Sequence, residues 1–311
     1  MHVSASPAYP MRSLLFIPGD SEKKLAKVDG CGADVVIIDL EDAVAPARKV
    51  AARQLAADFL KGRRDRRGGP RLWVRVNALD TGMTQDDLAA VMPLQPDGIM
   101  QPKAEGAHDV ERLTRLLEEA EEPGTSPTPI LPLVTETARA PFRIGELADV
   151  PLPRLAGLTW GAEDLAAALG ATGNRDADGE WLFTFRLVRS LTLMAAHAAA
   201  VPAIETLHAD FRDEEGLRRS SRQARAEGFS GRLAIHPAQV PVINEAFTPG
   251  EDEVEQARRI LSAFAEQPDA GTIGFEGRML DQPHRKAAER TVRLAQALQQ
   301  DRSDDGRSAH P

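Results

Sequence analysis

Eight short apolar runs recur between Leu14 and Ile235, at residues 14–17, 35–38, 72–76, 98–100, 130–134, 155–159, 201–204 and 233–235. A run of this length with no polar alternation reads as a strand covered on both faces. The segments between the runs are rich in Ala, Leu, Glu and Arg, and residues 110–121 and 186–200 read as helices. Eight strands alternating with helices predict an α/β chain folded as a parallel (β/α)8 TIM barrel. A doubly wound sheet would compete, but no G-x-G-x-x-G follows a strand to mark a dinucleotide site.

Length is compatible with this: 311 residues hold such a barrel, here over 11–245, with a small appendage. Past Ile235 the rhythm changes. Residues 240–247, 251–267 and 282–300 read as helices and 268–277 as a loop, so 246–300 forms a C-terminal helical extension of the kind that covers active sites. The termini, 1–10 and 301–311, and the loop 121–129 (EEPGTSPTP) lack the composition to pack a core and are expected to be flexible. Residues 62–70 (GRRDRRGGP) form a basic cluster, but it precedes a strand and so belongs to the barrel face away from the chemistry.

Composition excludes several classes of function. The chain carries 38 basic and 47 acidic residues, a net −9 without blocks of either sign, which disfavours nucleic acid and anionic membranes as partners. The single cysteine, Cys31, rules out an internal disulfide and a cysteine metal cluster and points to the cytoplasm. No window approaches the roughly 18–20 apolar residues of a membrane span, and no secretion signal is visible.

In a parallel barrel, chemistry collects where strands end. Asp39, Glu41 and Asp42 follow the second run; Arg75 and Asn77 end the third; Gln101 and Lys103 the fourth; Glu136 the fifth. Trp160, Glu163 and Asp164 follow the sixth, Glu205 ends the seventh and His236 the eighth. Three acids after a buried strand imply an offsetting cation, proton or substrate, or else the first turn of a helix over 43–60. Glu136 and Asp164, from adjacent strands, form the natural pair for Mg²⁺, which takes hard oxygen ligands and keeps several waters; each also suits a helix first turn. Arg75 suits a substrate carboxylate or an enolate oxygen through its planar fork, and equally a salt bridge to the acids of the second strand. His236 is read first as a structural histidine fixing the last loop, and Trp160 as packing. Nothing supports a covalent nucleophile: Cys31 precedes a strand and no G-x-S-x-G is present.

The string Arg12-Ser13-Leu14-Leu15-Phe16-Ile17-Pro18-Gly19, then Asp39-Leu40-Glu41-Asp42-Ala43-Val44, Arg75-Val76-Asn77, Pro102-Lys103, Glu136-Thr137-Ala138, Gly161-Ala162-Glu163-Asp164-Leu165 and Ile235-His236-Pro237-x-Gln239 resembles the HpcH/HpaI aldolase/citrate lyase β-subunit family in order and spacing. Gly277-Arg278-Met279-Leu280-Asp281 is similar to the G-x-M-I-D motif of its stand-alone malyl-CoA and citramalyl-CoA lyases, with Leu280 for isoleucine. The resemblance implies a Mg²⁺-dependent enzyme that cleaves or forms carbon–carbon bonds beside a carbonyl, with an acyl-CoA thioester and a 2-oxo acid as substrates, assembled as a homotrimer or hexamer.

By motif, Glu136 and Asp164 would hold the metal, Arg75 would bind the 2-oxo acid or the thioester enolate, and Glu41 and Asp42 would hold metal-bound waters. Asp281, from a neighbouring subunit, would be the acid/base. Arg12, Phe16, Pro18 and Gly19, with Lys24 or Lys27, would receive the coenzyme A chain. Gln101 stands where many relatives carry an apolar residue, which bears on substrate preference. The expected reaction is retro-Claisen cleavage of a 3-hydroxyacyl-CoA such as malyl-CoA or citramalyl-CoA. A citrate lyase β subunit, a malyl-CoA thioesterase and a non-catalytic binder of CoA metabolites are the alternatives.

Overall fold

The computed structural model of the chain describes residues 9–63 and 68–307, with side chains as far as residue 300. In chain order its strands are β1 Ser13–Pro18, β2 Val35–Asp39, β3 Arg71–Arg75, β4 Gly98–Gln101, β5 Ile130–Pro132, β6 Leu158–Thr159, β7 Ala203–Glu205 and β8 Gly231–Ala234, followed by β9 Thr272–Phe275 and β10 Arg278–Asp281. The α-helices are α1 Glu22–Leu25, α2 Lys49–Lys61, α3 Thr84–Val91, α4 Ala107–Ala120, α5 Glu146–Asp149, α6 Glu163–Leu169, α7 Phe183–Ala198, α8 Glu214–Glu227, α9 Gln239–Phe247, α10 Glu251–Ala265 and α11 Gln282–Arg307.

β1 to β8 form one parallel sheet in the order β5-β4-β3-β2-β1-β8-β7-β6. Parallel bridges Ile130↔Leu155 and Leu133↔Thr159 join its two ends, so the expected eight-stranded barrel is present. The strand side chains alternate between two cores. Leu14, Val35, Ile37, Trp73, Met100, Leu131, Ile204 and Leu233 fill the interior. Leu15, Val36, Ile38, Val74, Ile99 and Ile130 pack outward on the helices, meeting residues such as Val110, Leu113 and Leu117 along one face of α4. This alternation sets the site: Asp39 continues the inward row of Val35 and Ile37, and Arg75 that of Trp73. Trp73 plugs the interior and donates its indole N–H to Tyr9 Oη at 3.0 Å. Gly98 makes room for that ring, since a Cβ there would stand 2.4 Å from it.

Three elements depart from the bounds or type expected of them. The helix expected over 43–60 begins only at Lys49, after a 3₁₀ turn at Pro46–Arg48. The Asp39 carboxylate accepts the N–H groups of Glu41 (2.9 Å) and Ala43 (3.1 Å), and the Lys49 ammonium donates to the carbonyls of Leu40 and Glu41, both at 2.7 Å. These bonds hold the acidic segment as a loop across the barrel rim. The loop expected over 268–277 contains a hairpin instead: β9 and β10 pair antiparallel across Glu276 and Gly277, whose φ angles of 46° and 75° are those of a two-residue hairpin turn. The last helix runs on to Arg307, beyond the expected end at 300.

Phe264, Ile273 and Leu280 give α10 and the hairpin a small apolar cluster separate from the two barrel cores. Among the described residues no helix is long and apolar enough to cross a membrane. Residues 1–8 and 308–311 of the termini, and 64–67 of the basic loop, lie outside the described residues.

Candidate active site

Seven residues from the ends of five strands, β2 to β6, meet over the mouth of the barrel. Arg75 lays its fork on Asp39, Nε to Oδ1 at 2.8 Å and Nη2 to Oδ2 at 2.7 Å, while Nη1 stands 3.1 Å from Glu41 Oε2. Its guanidinium lies over the Phe16 ring, 4.8 Å from the centroid. Burial works against the charge, but the hydrogen bond and charge of Asp39, with Glu41 and Glu136 beyond, raise the Arg75 pKa above its ordinary value. The salt-bridge reading of Arg75 is therefore correct, and the arginine still lines the cavity described below.

Glu136 follows β5 and is nearly inaccessible, at 4% exposure. Its Oε2 accepts the backbone N–H of Lys103 at 2.6 Å. Burial and the neighbouring charge of Asp164 push its carboxyl up to about 8. Gly161 creates the space it occupies: a Cβ at 161 would lie 3.0 Å from Glu136 Cγ. Asp164 stands in the first turn of α6, as its position in the sequence allows, and its carboxylate reaches to 3.4 Å from Lys103 Nζ. The Lys103 ammonium also contacts Glu41 Oε1, and Asp42 Oδ2 at 3.1 Å. Partial burial opposes ionisation of Asp42, but this ammonium holds its carboxyl below the usual range. Lys103 is the residue sequence reasoning left without a role; the signal was a lysine directly after the proline that ends a strand.

A cavity of about 60 Å³ opens among these groups, lined by Phe16, Arg75, Glu136, Trp160, Asp164 and Thr206. A larger groove of about 580 Å³, between Pro249, α10 and α11, gathers none of the strand-end residues.

Other expected rim residues do structural work. Asn77 donates through its backbone and side-chain N–H groups to the fully buried Asp87 of α3, both at 2.7 Å. Gln101 points away from the interior and donates to the Asp109 carbonyl at 2.9 Å, so it does not line the cavity. Glu205 lies between barrel and helices, accepting the Trp160 indole N–H and Arg189 Nε, both at 2.6 Å. Gln239, not His236, fixes the last loop, its amide oxygen accepting the N–H groups of Ile235 (2.9 Å) and His236 (3.1 Å). His236 accepts the Ala238 N–H at 3.2 Å and stacks on Phe211, ring centroids 4.7 Å apart.

Of the residues assigned to the coenzyme A chain, Phe16, Pro18 and Gly19 are at the C-terminal end of β1, and Lys24 is exposed on α1. Arg12 is not with them. It precedes β1, on the opposite barrel face, where it forks onto Asp34 (2.9 and 2.6 Å) and donates to Thr248 Oγ1 at 2.8 Å. That placement makes Arg12 a tie between the barrel base and the start of the extension. Asp281 ends β10, with its carboxylate 2.6 Å from Nδ1 of His284, and is absent from the cavity lining.

The donor set fits a hard divalent ion. Glu136 and Asp164 are near enough for the charge of one to raise the pKa of the other, a repulsion that a divalent ion would relieve, and two carboxylates with room for water match the way Mg²⁺ is held. Among the described residues no group of three or more His, Cys, Asp or Glu forms a fuller metal cage.

The profile of the HpcH/HpaI aldolase/citrate lyase family matches residues 12–237. A (3S)-malyl-CoA thioesterase of Cereibacter sphaeroides is 36% identical over 302 residues, covering 94% of this chain and 98% of its own length. The mitochondrial citramalyl-CoA lyase of Rattus norvegicus is 32% identical over 315 residues, covering 94% of this chain and 88% of its own. The crystal structure of CitE from Mycobacterium tuberculosis in complex with magnesium, acetoacetate and coenzyme A superposes with a TM-score of 0.75 at 36% identity, over 93% of this chain and 99% of that one.

Proposed function

Because the chain belongs to the HpcH/HpaI aldolase/citrate lyase family, we propose that it is a Mg²⁺-dependent carbon–carbon lyase acting on a 3-hydroxyacyl-CoA such as malyl-CoA or citramalyl-CoA, releasing acetyl-CoA and a 2-oxo acid. The observation that carries this reading is the convergence of Arg75, Glu136 and Asp164 on one small cavity at the barrel mouth. Bound to Glu136 and Asp164, Mg²⁺ would supply Lewis acidity at the 2-oxo acid end of the substrate. Arg75, held rigid by Asp39 and Glu41, would donate to the thioester oxygen as the bond between C2 and C3 breaks and its electron pair passes to the enolate. The substrate hydroxyl would pass its proton in that step to a water held at the rim by Glu41 and Asp42, and a proton must then reach the enolate carbon. Asp281 of a second chain would deliver it, and the reverse sequence is a Claisen condensation. Glu41 and Asp42 would hold water around the ion, and Phe16, Pro18 and Lys24 would border the coenzyme A chain. A trimeric or hexameric assembly and a cytoplasmic setting belong to the same reading.

Thioester hydrolysis on the same site is the second reading, favoured by the 36% identity to a malyl-CoA thioesterase over almost the whole of both chains. Mass spectrometry of a panel of acyl-CoA substrates incubated with Mg²⁺ separates the two. Acetyl-CoA with glyoxylate or pyruvate is expected; free coenzyme A with malate or citramalate would show a hydrolase. A requirement for a carrier-bound citryl thioester would mark a citrate lyase β subunit.

A further inference from the structure

Lys103 is one of four non-glycine residues with positive φ among those described, at 53°, and it sits at the centre of the acid cluster. β4 ends at Gln101, and Pro102 follows with no N–H to offer. The left-handed turn at Lys103 lets its N–H meet Glu136 Oε2 at 2.6 Å. From the same Cα the side chain reaches Glu41 and Asp42 beyond β2, and Asp164 of α6 at 3.4 Å. One residue thus holds both candidate metal ligands, Glu136 by its amide and Asp164 by its ammonium. A side chain in this backbone region is strained, and such strain is kept where the surroundings over-determine it.

We propose that Lys103 is a positioning residue, a tethered counter-cation that sets the direction of Glu136 and competes with a divalent ion for Asp164. This rests on reading Glu136 and Asp164 as the ligands of that ion. Four carboxylates, Glu41, Asp42, Glu136 and Asp164, surround the residue, and a fixed ammonium among them offsets their mutual repulsion. The same positive charge opposes entry of another cation. Coordination of a divalent ion by Asp164 therefore requires the ammonium to fall back on Glu41 and Asp42, and Lys103 weakens binding of the free ion while keeping the rim ordered.

The test is calorimetric titration of Mg²⁺ into the full chain and its Lys103→Gln, Lys103→Gly and Lys103→Arg variants. All three keep the backbone N–H that serves Glu136, and glycine also removes the strain at positive φ. With the charge gone, Lys103→Gln and Lys103→Gly are expected to bind Mg²⁺ about tenfold or more tightly than wild type, because an ammonium 3.4 Å from the Asp164 carboxylate repels a divalent ion on the same carboxylate, strongly even at an effective dielectric of about 20. Lys103→Arg, which keeps the charge, should stay close to wild type. A residue that only braced the loop would loosen the site on removal, so a gain in affinity lies outside a bracing role. Unchanged or weaker binding in both uncharged variants, against a wild type that does bind, overturns the role of Lys103 and leaves the ligand assignment standing. A wild type that binds no Mg²⁺ at millimolar concentration overturns both.

Discussion

Arg75 commits three N–H positions to the acids of β2 and its loop, Nε and Nη2 to Asp39 and Nη1 to Glu41, and still borders the cavity. A lysine in its place keeps one charge but cannot form the two parallel bonds to Asp39. Turnover of Arg75→Lys is expected to fall by about 10²-fold or more, the scale for losing an oxyanion donor. Steady-state kinetics measure it, and a near-normal rate would leave Arg75 a structural ion pair alone. Glu136→Gln and Asp164→Asn should each abolish tight Mg²⁺ binding by calorimetry, since one carboxylate cannot chelate; unchanged affinity in both would sink the assignment. Glu136 also has a signature in metal-free protein. Its folded pKa, about 8, lies above the ordinary value of 4.5, so the folded state holds the extra proton across that interval and its stability contribution is lost as pH rises through 8. Burial of His208 lowers its pKa and so acts in the opposite direction below about 6.5, which makes the comparison with Glu136→Gln the informative one. In EDTA the melting temperature of wild type should fall relative to Glu136→Gln between pH 6 and 9, and excess Mg²⁺ should reverse the fall. A constant difference would show that Glu136 does not titrate in this range.

Elements matter here through what their ends present. The run Val35–Ile38 reads as a strand from sequence because it is apolar without alternation, and β2, Val35–Asp39, is buried throughout, yet the carboxylates after it lie in a rim loop and not in a helix. Whether Asp-Leu-Glu-Asp begins a helix or crosses a rim depends on Asp39 accepting N–H groups ahead of it and on Lys49 holding two carbonyls from nine and eight residues away. At the other end of the barrel, β3 and β4 fit because Gly98 faces the Trp73 ring. Gly98→Ala would put a methyl group into a fully buried indole, and overpacking of this kind costs about 1–3 kcal/mol or more. Thermal unfolding should show a clear loss of melting temperature with Mg²⁺ affinity retained by whatever fraction stays folded. An unchanged melting temperature would mean that the indole can shift. The hairpin of β9 and β10 was hidden in sequence by its short strands, although Glu276-Gly277 between Thr272–Phe275 and Arg278–Asp281 is a legible two-residue turn.

At the scale of the molecule, the barrel mouth holds Arg75, Glu136 and Asp164 while Asp281 stands on a hairpin that packs with α10. A shared site follows if the extension of one chain serves the barrel of another. Mixing inactive Asp281→Asn with inactive Arg75→Ala subunits should restore part of the activity, through sites that combine an intact rim with an intact hairpin. Confirmed subunit exchange with no recovered activity would exclude sharing.

Eight apolar runs alternating with helical stretches were enough to determine a parallel sheet covered on both faces, and eight strands with no G-x-G-x-x-G after any of them favoured the barrel over the doubly wound sheet. The acids, the arginine and the lysine at strand ends were legible for the same reason: parallel strands bring their C-terminal ends to one face. Tertiary structure decided which of them meet. Arg12, which precedes β1, lies at the opposite end of that strand because of its place in the chain, while side-chain direction turned Glu205 and Gln101 away from the interior. It also placed Lys103 between both candidate metal ligands. A one-residue change of register reverses the face of a strand residue, and a left-handed turn after Pro102 redirects an amide toward a neighbouring strand. Neither choice is written in local composition; both are set by the packing of the closed barrel.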